Sequence, residues 1–325
     1  MDPKISVIIP TKNRAHYVSS AVQSVLGQTF GDFEVLIVDG ASTDNTREVV
    51  SKFHDERIRY IRERKDRGAS ASRNTGISQS RGKFIAFLDD DDLWVPSKLS
   101  KQLNLFDKNP CIGAVSAGAW IINENDETIG FRIPSLRGNI FPKILSKNHV
   151  GNCSMVLVRK ECFEKSGLFD ENLEASEDYD LWVRLTKHYE FDYVNEPLVL
   201  YRVHEKRIST NPYKALRAKK LLIKKHSKEL TKLSNHRRIL GSWQYRLGVL
   251  YCKCGDMGHG KKEFLKAIRN DPFSIRYYAR LFASFFGLTL QDALDRLLKS
   301  SLPIFLQFQI TGVIFTAKNV HDFDV

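Results

Sequence analysis

The sequence predicts an α/β fold: a mostly parallel central sheet with helices on both faces, followed by an α-helical C-terminal domain. Short apolar, β-branched segments alternate with helical patterns through the first half of the chain, and the links between them are short. This alternation is typical of strand–helix–strand units. Beyond Asn211-Pro212 the patterns are all helical. A chain of 325 residues is long enough for one large core and a smaller second unit.

In the first half, each predicted strand ends in turn or polar residues. The four strands are 5–10, 33–38, 58–61 and 83–88. The helices between them are 17–26, 44–53 and 69–80. Ligands of such sheets bind beyond the carboxyl ends of the strands. We therefore expect the chemistry to lie just after Ile9, Val38, Ile61 and Leu88.

The middle of the chain, from about Pro96, has a mixed pattern. Helices are predicted at 98–106 and 180–188, and strands at 111–122, 154–158 and 194–203. The change to purely helical patterns predicts one domain at 1–208 and a second at 209–325.

One set of residues in the second domain resembles a single tetratricopeptide helix pair. The set comprises Leu247, Gly248, Tyr251, Gly255, Phe264, Ala267 and Pro272. A lone repeat cannot bury its own apolar face, so we expect it to dock on the first domain or on a protein partner.

The net charge of +12 is concentrated in residues 206–238, which contain twelve Lys or Arg and one acid. Either this basic segment faces a polyanion, such as anionic lipid, a phosphorylated carrier or nucleic acid, or it is a solvated helix face. Its only aromatic residue is Tyr213. Because binding of single-stranded nucleic acid relies on aromatic stacking, we expect no nucleic-acid partner.

The five scattered cysteines predict a reducing compartment rather than a disulfide framework. No signal peptide is evident, and no apolar run reaches the roughly 20 residues that span a bilayer. We expect a cytoplasmic protein, with weak peripheral binding of the basic segment to the anionic inner face of the cell membrane. The apolar stretch 302–316 either lies at that interface or packs in the helical domain.

Polar residues follow the first two strands. Thr11, Asn13 and Arg14 come directly after Pro10 at the end of strand one. Asp39, at the exit of strand two, can accept hydrogen bonds from a nucleotide base or a ribose. Asp44 is expected to cap the next helix.

Four consecutive carboxylates, Asp89–Asp92, follow the apolar strand 83–88. Like charges this close raise one another's pKa values unless cations intervene. A hard divalent cation with oxygen ligands is the natural compensation. The alternative is a solvated acidic turn, which we disfavour because Leu93-Trp94 anchors the far end of the run.

A second acidic cluster, Glu177–Asp180, lies immediately before a predicted amphipathic helix. Acids at this place either complement the helix dipole or supply a general base to a site. The cluster alone does not decide between the two interpretations.

Together these segments resemble the inverting family 2 glycosyltransferases of GT-A fold. The resemblance covers about residues 4–205. Five motifs in order support it: 6–14, 38–46, 68–76, 87–94 and 177–185. It implies a Rossmann-like sheet and transfer of a sugar from a nucleoside-diphosphate sugar.

The resemblance also implies a role for each matching residue. Asp178, the second acid of the Glu-Asp pair, is the implied catalytic base. Asp91 and His204 are the implied ligands of Mn²⁺ or Mg²⁺. The Asp run leaves the register open to Asp90 or Asp92, and His204 could instead hydrogen-bond locally. The implied contacts to the nucleotide-sugar are Pro10, Thr11, Asn13, Arg14, Asp39, Arg73, Asn74, Asp89, Asp90, Glu177 and Trp182.

The implied activity is metal-dependent, inverting transfer of a hexosyl or N-acetylhexosaminyl group, with a UDP-sugar as the default donor. The implied acceptor is a hydroxyl of a saccharide or lipid-linked saccharide, as in polysaccharide biosynthesis. One alternative is a catalytically weak binding or regulatory subunit of the same fold. Another is a sugar nucleotidyltransferase, which would need a glycine-rich loop after strand one; residues 10–14 contain no glycine.

Overall fold

A computed structural model of the protein describes residues 2–204 and 211–285. The chain divides into two compact units, Met1–Ile144 with Asn148–Arg207, and Leu145–Lys147 with Ile208–Val325. The predicted boundary between 208 and 209 and the apolar stretch 302–316 both lie outside the described residues.

One sheet of nine strands, counted over the described residues, forms the centre of the first unit. Its strands are β1 Ile5–Thr11, β2 Phe33–Asp39, β3 Ile58–Arg62, β4 Phe84–Phe87, β5 Leu93–Trp94, β6 Ile112–Ile122, β7 Thr128–Arg132, β8 Leu157–Arg159 and β9 Glu190–Arg202. Their spatial order is β3-β2-β1-β4-β8-β6-β9-β5, and β7 also pairs with β6.

The predicted α/β class is confirmed. The sheet, however, is mixed, whereas a mostly parallel sheet was predicted. Strands β3, β2, β1 and β4 are parallel, as predicted, because a helix separates each strand from the next along the chain. Beyond β4 the pairings β4–β8, β8–β6, β6–β7 and β5–β9 are antiparallel, and only β6–β9 is parallel. The short turn 123–127 allows only an antiparallel β6–β7 pair.

Seven helices belong to the first unit, in the part of the chain that the structure describes. They are α1 Ala15–Leu26, α2 Thr46–Ser51, α3 Ala69–Gln79, α4 Lys98–Phe106, α5 Phe141–Ile144, α6 Cys162–Ser166 and α7 Glu177–Leu185. Helix α7 begins three residues earlier than the predicted 180–188, so Glu177 and Asp178 lie in its first turn. The short elements β5, β7, α5 and α6 were not predicted, because a few residues show no periodicity.

The second unit is helical over residues 211–285. Its helices are α8 Pro212–Leu230, α9 His236–Lys253, α10 Met257–Asn270 and α11 Ile275–Phe285. Helices α9 and α10 pack closely: a Cβ added at Gly248 would lie 2.6 Å from the Phe264 ring and 3.0 Å from the Gly260 carbonyl oxygen. The predicted helix pair is therefore present, and its assignment to the tetratricopeptide repeats stays a prediction. No helix of the described residues is both long and apolar enough to cross a bilayer.

Glu34 in β2 is a carboxylate buried in the core of the sheet. It accepts hydrogen bonds from the Ser6 hydroxyl at 2.8 Å and the Arg81 backbone N–H at 2.7 Å, and Arg59 lies 2.9 Å away. Burial alone would raise the Glu34 pKa, but these donors outweigh it, so the pKa is lowered. Gly82, which donates its N–H to the Ser6 hydroxyl at 2.8 Å, packs directly against the backbone of β1.

We predict that Gly82→Ala destabilises the protein by about 1–3 kcal/mol, because the added methyl overpacks a filled space. An ideal Cβ at Gly82 would lie 2.5 Å from the Ser6 nitrogen and 2.7 Å from the Ile5 carbonyl carbon, both backbone atoms. Urea denaturation measures the change. The matched control is Gly31→Ala, where a Cβ meets nothing within 4 Å, and which should stay within about 0.5 kcal/mol of wild type. Equal stabilities of the two variants would contradict the prediction.

Candidate active site

Five segments of the first unit meet at the carboxyl ends of β1, β2 and β4. They are residues 11–14, 39–44, 89–92, 177–178 and 202–204. Side-chain hydrogen bonds connect them to one another. The sequence analysis predicted that the functional residues would lie at this edge of the sheet.

The turn after β1 is joined to the turn after β2. The Asn13 N–H donates to the Ser42 hydroxyl at 2.8 Å, and the Asn13 side-chain oxygen accepts the Thr43 N–H at 2.7 Å. Asp39 is fully buried, and its carboxylate accepts the Ser42 N–H at 2.7 Å and the Tyr60 hydroxyl. Asp39 thus stands at the predicted strand exit, but in this structure its carboxylate fixes the turn and is covered.

Asp44 and Pro10 also shape these turns. The Asp44 carboxylate accepts the N–H of Ala15, where α1 begins, at 3.2 Å and that of Thr46, where α2 begins, at 3.0 Å. Asn45, rather than the predicted Asp44, is the N-cap residue of α2, and Asp44 binds the first N–H of that helix from one residue further back. Pro10, a predicted substrate contact, is buried within β1.

The four Asp residues differ in burial and in partners. The Asp89 side chain is 28% exposed, those of Asp91 and Asp90 are 14% and 10% exposed, and Asp92 is fully buried. Asp90 accepts a hydrogen bond from the Thr11 hydroxyl at 2.7 Å. Burial and the neighbouring Asp91 charge raise the Asp90 pKa to about 8. Asp90 is therefore mostly protonated at pH 7.

Asp92 points into the protein. Its carboxylate accepts the Arg202 backbone N–H at 2.9 Å and the Asn152 amide at 3.2 Å. Burial, together with the charges of Asp91 and Asp89, raises its pKa. Asp92 joins β9 to the acidic loop, so in this structure it is not available as a metal ligand.

Asp91 is contacted by side chains from both ends of the first unit's sequence. Arg14 Nη1 lies 2.6 Å and His204 Nε2 lies 2.9 Å from the same oxygen, Asp91 Oδ2. Burial alone would raise the Asp91 pKa, but the hydrogen bond with His204 and the Arg14 charge outweigh it. The Asp91 pKa is therefore lowered, and the carboxylate is ionised at neutral pH.

The divalent cation that the resemblance implies fits Asp91 and His204. A carboxylate oxygen and an imidazole nitrogen 2.9 Å apart are ligand types that suit Mn²⁺. Within residues 2–204 and 211–285, no group of three or more His, Cys, Asp or Glu side chains could hold a metal ion. Asp91 and His204 are thus two groups of suitable type that would hold the cation. Sites of this kind are completed by substrate phosphates and water.

Arg73 of α3 joins the two acidic segments. Its guanidinium is 5% exposed; Nη2 lies 2.6 Å from Asp89 Oδ1, and Nη1 lies 2.7 Å from Glu177 Oε1. The ring of Phe169 lies 5.5 Å from the guanidinium carbon. One buried cation therefore neutralises a carboxylate from the loop after β4 and another from the first turn of α7.

Asp178 lies beside Glu177 in the first turn of α7 and accepts the Tyr179 N–H at 2.6 Å. Burial, with the Glu177 charge as the next cause, raises the Asp178 pKa to about 7. A carboxylate with a pKa near the working pH is suited to general-base catalysis. Glu177 and Asp178 both lie in the first turn of α7, so both also complement the helix dipole.

One predicted substrate contact, Trp182, is corrected, and the structure gives a second, Asn74, a structural role. Trp182 is 0% exposed; its indole N–H donates to the Gly151 carbonyl at 3.0 Å and its ring packs against Phe191. It is a core residue. The Asn74 amide is used by the loop after α6: its oxygen accepts the Phe169 N–H at 2.9 Å and its nitrogen donates to the Phe169 carbonyl at 3.0 Å. Asn74 therefore fastens this loop.

Sequence reasoning missed several residues that build the site. Ser42 and Tyr60 hold Asp39, and the Ser154 hydroxyl accepts the Asp89 N–H at 3.1 Å. Ser42 lies within the motif 38–46, whereas no pattern marks Tyr60 or Ser154. Arg202 had a signal, since it stands two residues before His204; its Nε donates to the Asp91 carbonyl at 3.0 Å.

A profile of glycosyl transferase family 2 matches residues 6–167. The UDP-Glc:alpha-D-GlcNAc-diphosphoundecaprenol beta-1,3-glucosyltransferase WfgD of Escherichia coli is 34% identical over 218 residues, which is 66% of this chain and 83% of WfgD. The chain belongs to glycosyl transferase family 2. The putative teichuronic acid biosynthesis glycosyltransferase TuaG of Bacillus subtilis is 32% identical over 216 residues, 66% of this chain and 84% of TuaG.

Solved structures support the fold of this family 2 glycosyltransferase. S. aureus TarS 1-349 in complex with UDP-GlcNAc has a TM-score of 0.64 at 17% identity and covers 87% of this chain and 88% of its own. The mannosyltransferase PcManGT of Pyrobaculum calidifontis, in complex with GDP-Man and Mn²⁺, has a TM-score of 0.53 at 17% identity. That match covers 98% of this chain and 84% of PcManGT.

We predict that Arg73→Met destabilises this glycosyltransferase by about 1–3 kcal/mol, because it leaves two partly buried carboxylates without their shared cation. Thermal or urea unfolding measures the loss. Arg67→Met is the matched control: Arg67 contacts Glu63 at 2.8 Å, but its side chain is 42% exposed, so the change should be small. If the two variants are equally stable, Arg73 does not hold the acidic segments together.

Proposed function

We propose that the protein transfers a hexosyl or N-acetylhexosaminyl group from a UDP-sugar to an acceptor hydroxyl, with inversion at the anomeric carbon. The observation that carries the proposal is the Arg73 bridge, which holds Glu177, the residue before Asp178, to Asp89 of the acidic loop, while the Asp178 pKa is raised to about 7. A panel of UDP- and GDP-sugars, assayed for nucleotide release with Mn²⁺ present, tests it. Failure of every UDP-sugar would contradict the donor assignment.

Relatives support the UDP donor and a saccharide acceptor. The name of WfgD states a UDP-glucose donor and a diphosphoundecaprenol-linked GlcNAc acceptor, and TarS has been solved with UDP-GlcNAc and with UDP. We extend this chemistry to the present protein: a UDP-sugar donor and a saccharide or lipid-linked saccharide acceptor. An intact Asp178 and Asp run argue against a purely regulatory subunit.

We assign Asp91 and His204 as the protein ligands of Mn²⁺ or Mg²⁺. When bound, the cation neutralises negative charge that develops on the leaving diphosphate. Asp91 supports this role because its lowered pKa keeps it ionised and its Oδ2 adjoins His204 Nε2. Asp89 is held by Arg73 beside this pair and is assigned to the donor.

We assign Asp178 as the base. An acceptor hydroxyl is a poor nucleophile, so Asp178 takes its proton as the oxygen attacks the anomeric carbon from the face opposite the diphosphate. A single displacement of this kind inverts the anomeric centre. Glu177 remains paired with Arg73 and positions the first turn of α7.

We propose the helical domain, 209–325, as the part that meets a membrane surface or a protein partner, and 1–208 as the catalytic domain. The basic segment 206–238 supports an anionic partner, because each Lys or Arg near an anionic membrane contributes about 1 kcal/mol. A lipid-linked acceptor would lie at such a surface.

We predict that Asp178→Asn lowers kcat by about 10²–10⁴-fold with little change in donor affinity, because the base faces the acceptor. Glu177→Gln is the control and should be milder. In the wild type, the base acts only when deprotonated, and its pKa is about 7. The rate should therefore fall with decreasing pH below about 7 and level off above it. A collapse of donor affinity in Asp178→Asn would make Asp178 a donor-binding residue instead.

We predict that chelation of divalent cations and the substitution Asp91→Asn each abolish transfer, and that Asp91→Asn also weakens donor binding. The cause is loss of the cation that neutralises the leaving diphosphate. Nucleotide release and donor titration measure the two effects, and Asp90→Asn is the comparison because Asp90 is buried and bonded to Thr11. Near-normal activity of Asp91→Asn would show that the ligand register is wrong.

A further inference from the structure

The Arg14 guanidinium lies close to both atoms that we assign as metal ligands, Asp91 Oδ2 and His204 Nε2. Its Nη1 is 2.6 Å from Asp91 Oδ2 and 3.5 Å from His204 Nε2. The side chain is 22% exposed and also lies 3.6 Å from Asp90 Oδ1. Arg14 therefore supplies a positive charge at the atoms where the metal cation is proposed to bind.

Other positive groups near Asp91 act elsewhere. Arg202 donates to the Asp91 backbone carbonyl, the Asn123 carbonyl and Asp126. Arg73 neutralises Asp89 and Glu177. Among the described residues, the side chains that contact the Asp91 carboxylate are thus Arg14 and His204.

We infer that Arg14 competes with the divalent cation for Asp91, and that the donor's diphosphate relieves the competition by giving Arg14 a second anion to bind. Metal and nucleotide then bind cooperatively, and the metal alone binds weakly. The inference rests on the proposed function, which assigns both the divalent cation and the diphosphate of the donor to this site.

The physical reason is charge repulsion inside a partly buried site. An arginine stays protonated, so any divalent cation on Asp91 Oδ2 faces a positive guanidinium within a few ångström. Arg14 uses Nη1 for Asp91, which leaves further donors of its planar fork for phosphate oxygens. A diphosphate that binds between the divalent cation and the Arg14 guanidinium attracts both of them, and these two attractions offset their mutual repulsion.

Arg14 thereby acts as a positioning residue for the donor as well as a competitor of the metal. The site does not fill with metal before a nucleotide arrives. By thermodynamic linkage, the factor by which nucleotide tightens metal binding equals the factor by which metal tightens nucleotide binding. The inference therefore concerns a coupling that can be measured from either side.

The test is Mn²⁺ binding to the full-length protein, followed through the EPR signal of free Mn²⁺, without and with saturating UDP. In the wild type, UDP should tighten Mn²⁺ binding. In Arg14→Met, Mn²⁺ alone should bind about tenfold more tightly than to wild type, because the repulsion is removed. The tightening by UDP should shrink by at least a similar factor. Arg14→Gln repeats the test if Arg14→Met fails to fold.

Two controls separate this effect from general electrostatics. Lys12→Met removes the same charge two residues earlier, where Lys12 pairs with Asp66, and should leave both Mn²⁺ affinities unchanged. Arg14→Lys keeps the charge and should keep Mn²⁺ binding weak without UDP. Unchanged or weaker Mn²⁺ binding by Arg14→Met in the absence of UDP, or an equal gain in Lys12→Met, overturns the inference alone. Absence of Mn²⁺ binding by the wild type and all variants, with UDP present, overturns the proposed metal and this inference together.

Discussion

A buried guanidinium between two carboxylates is the interaction on which the rest of the site depends. Arg73 contacts Asp89 at 2.6 Å and Glu177 at 2.7 Å, and so joins the loop after β4 to the first turn of α7. These segments are distant in sequence and both acidic, so without a cation they would repel each other. Removal of one partner from such a buried pair leaves an uncompensated charge, which is the costly outcome. The bridge also brings Asp178 near the acidic loop, because Asp178 is the residue next to Glu177.

The same site gives neighbouring carboxyl groups different proton affinities. Asp91 has a lowered pKa because His204 and Arg14 outweigh its burial. Asp178 is not paired with His204 or Arg14, so burial and the Glu177 charge raise the Asp178 pKa to about 7. A group that must bind a cation needs to stay ionised, whereas a group that must accept a proton works best near the ambient pH. Pairs of carboxyl groups whose environments push their pKa values apart are typical of sites with divided roles.

Much of this arrangement could be predicted from the sequence, because strand ends of a parallel sheet share one edge. Asp39, Asp89, Asp91 and Arg14 all lie at the edge that the alternation of strands and helices predicted. What the sequence could not give is the direction of individual side chains. Trp182 belongs to the same motif as Glu177 but lies on the buried face of α7, and Asn74 follows Arg73 yet bonds the 169–171 loop. Likewise the mixed half of the sheet depends on β5 and β7, which are too short for periodicity to reveal, and on β8, which overlaps the predicted strand 154–158.

The structure also changes the argument for a metal in the acidic loop. Four consecutive Asp residues suggested a large negative charge that a divalent cation must compensate. In the folded protein Asp90 and Asp92 are buried and bond Thr11 and Arg202. The Asp90 pKa is raised to about 8, so Asp90 adds little charge at neutral pH, and burial also raises the Asp92 pKa. Asp89 is paired with Arg73, and Asp91 with Arg14 and His204. Side chains of the protein therefore balance the loop by themselves. A cation is needed only when a diphosphate brings further negative charge, which makes the substrate, rather than the acidic loop, the reason for the metal.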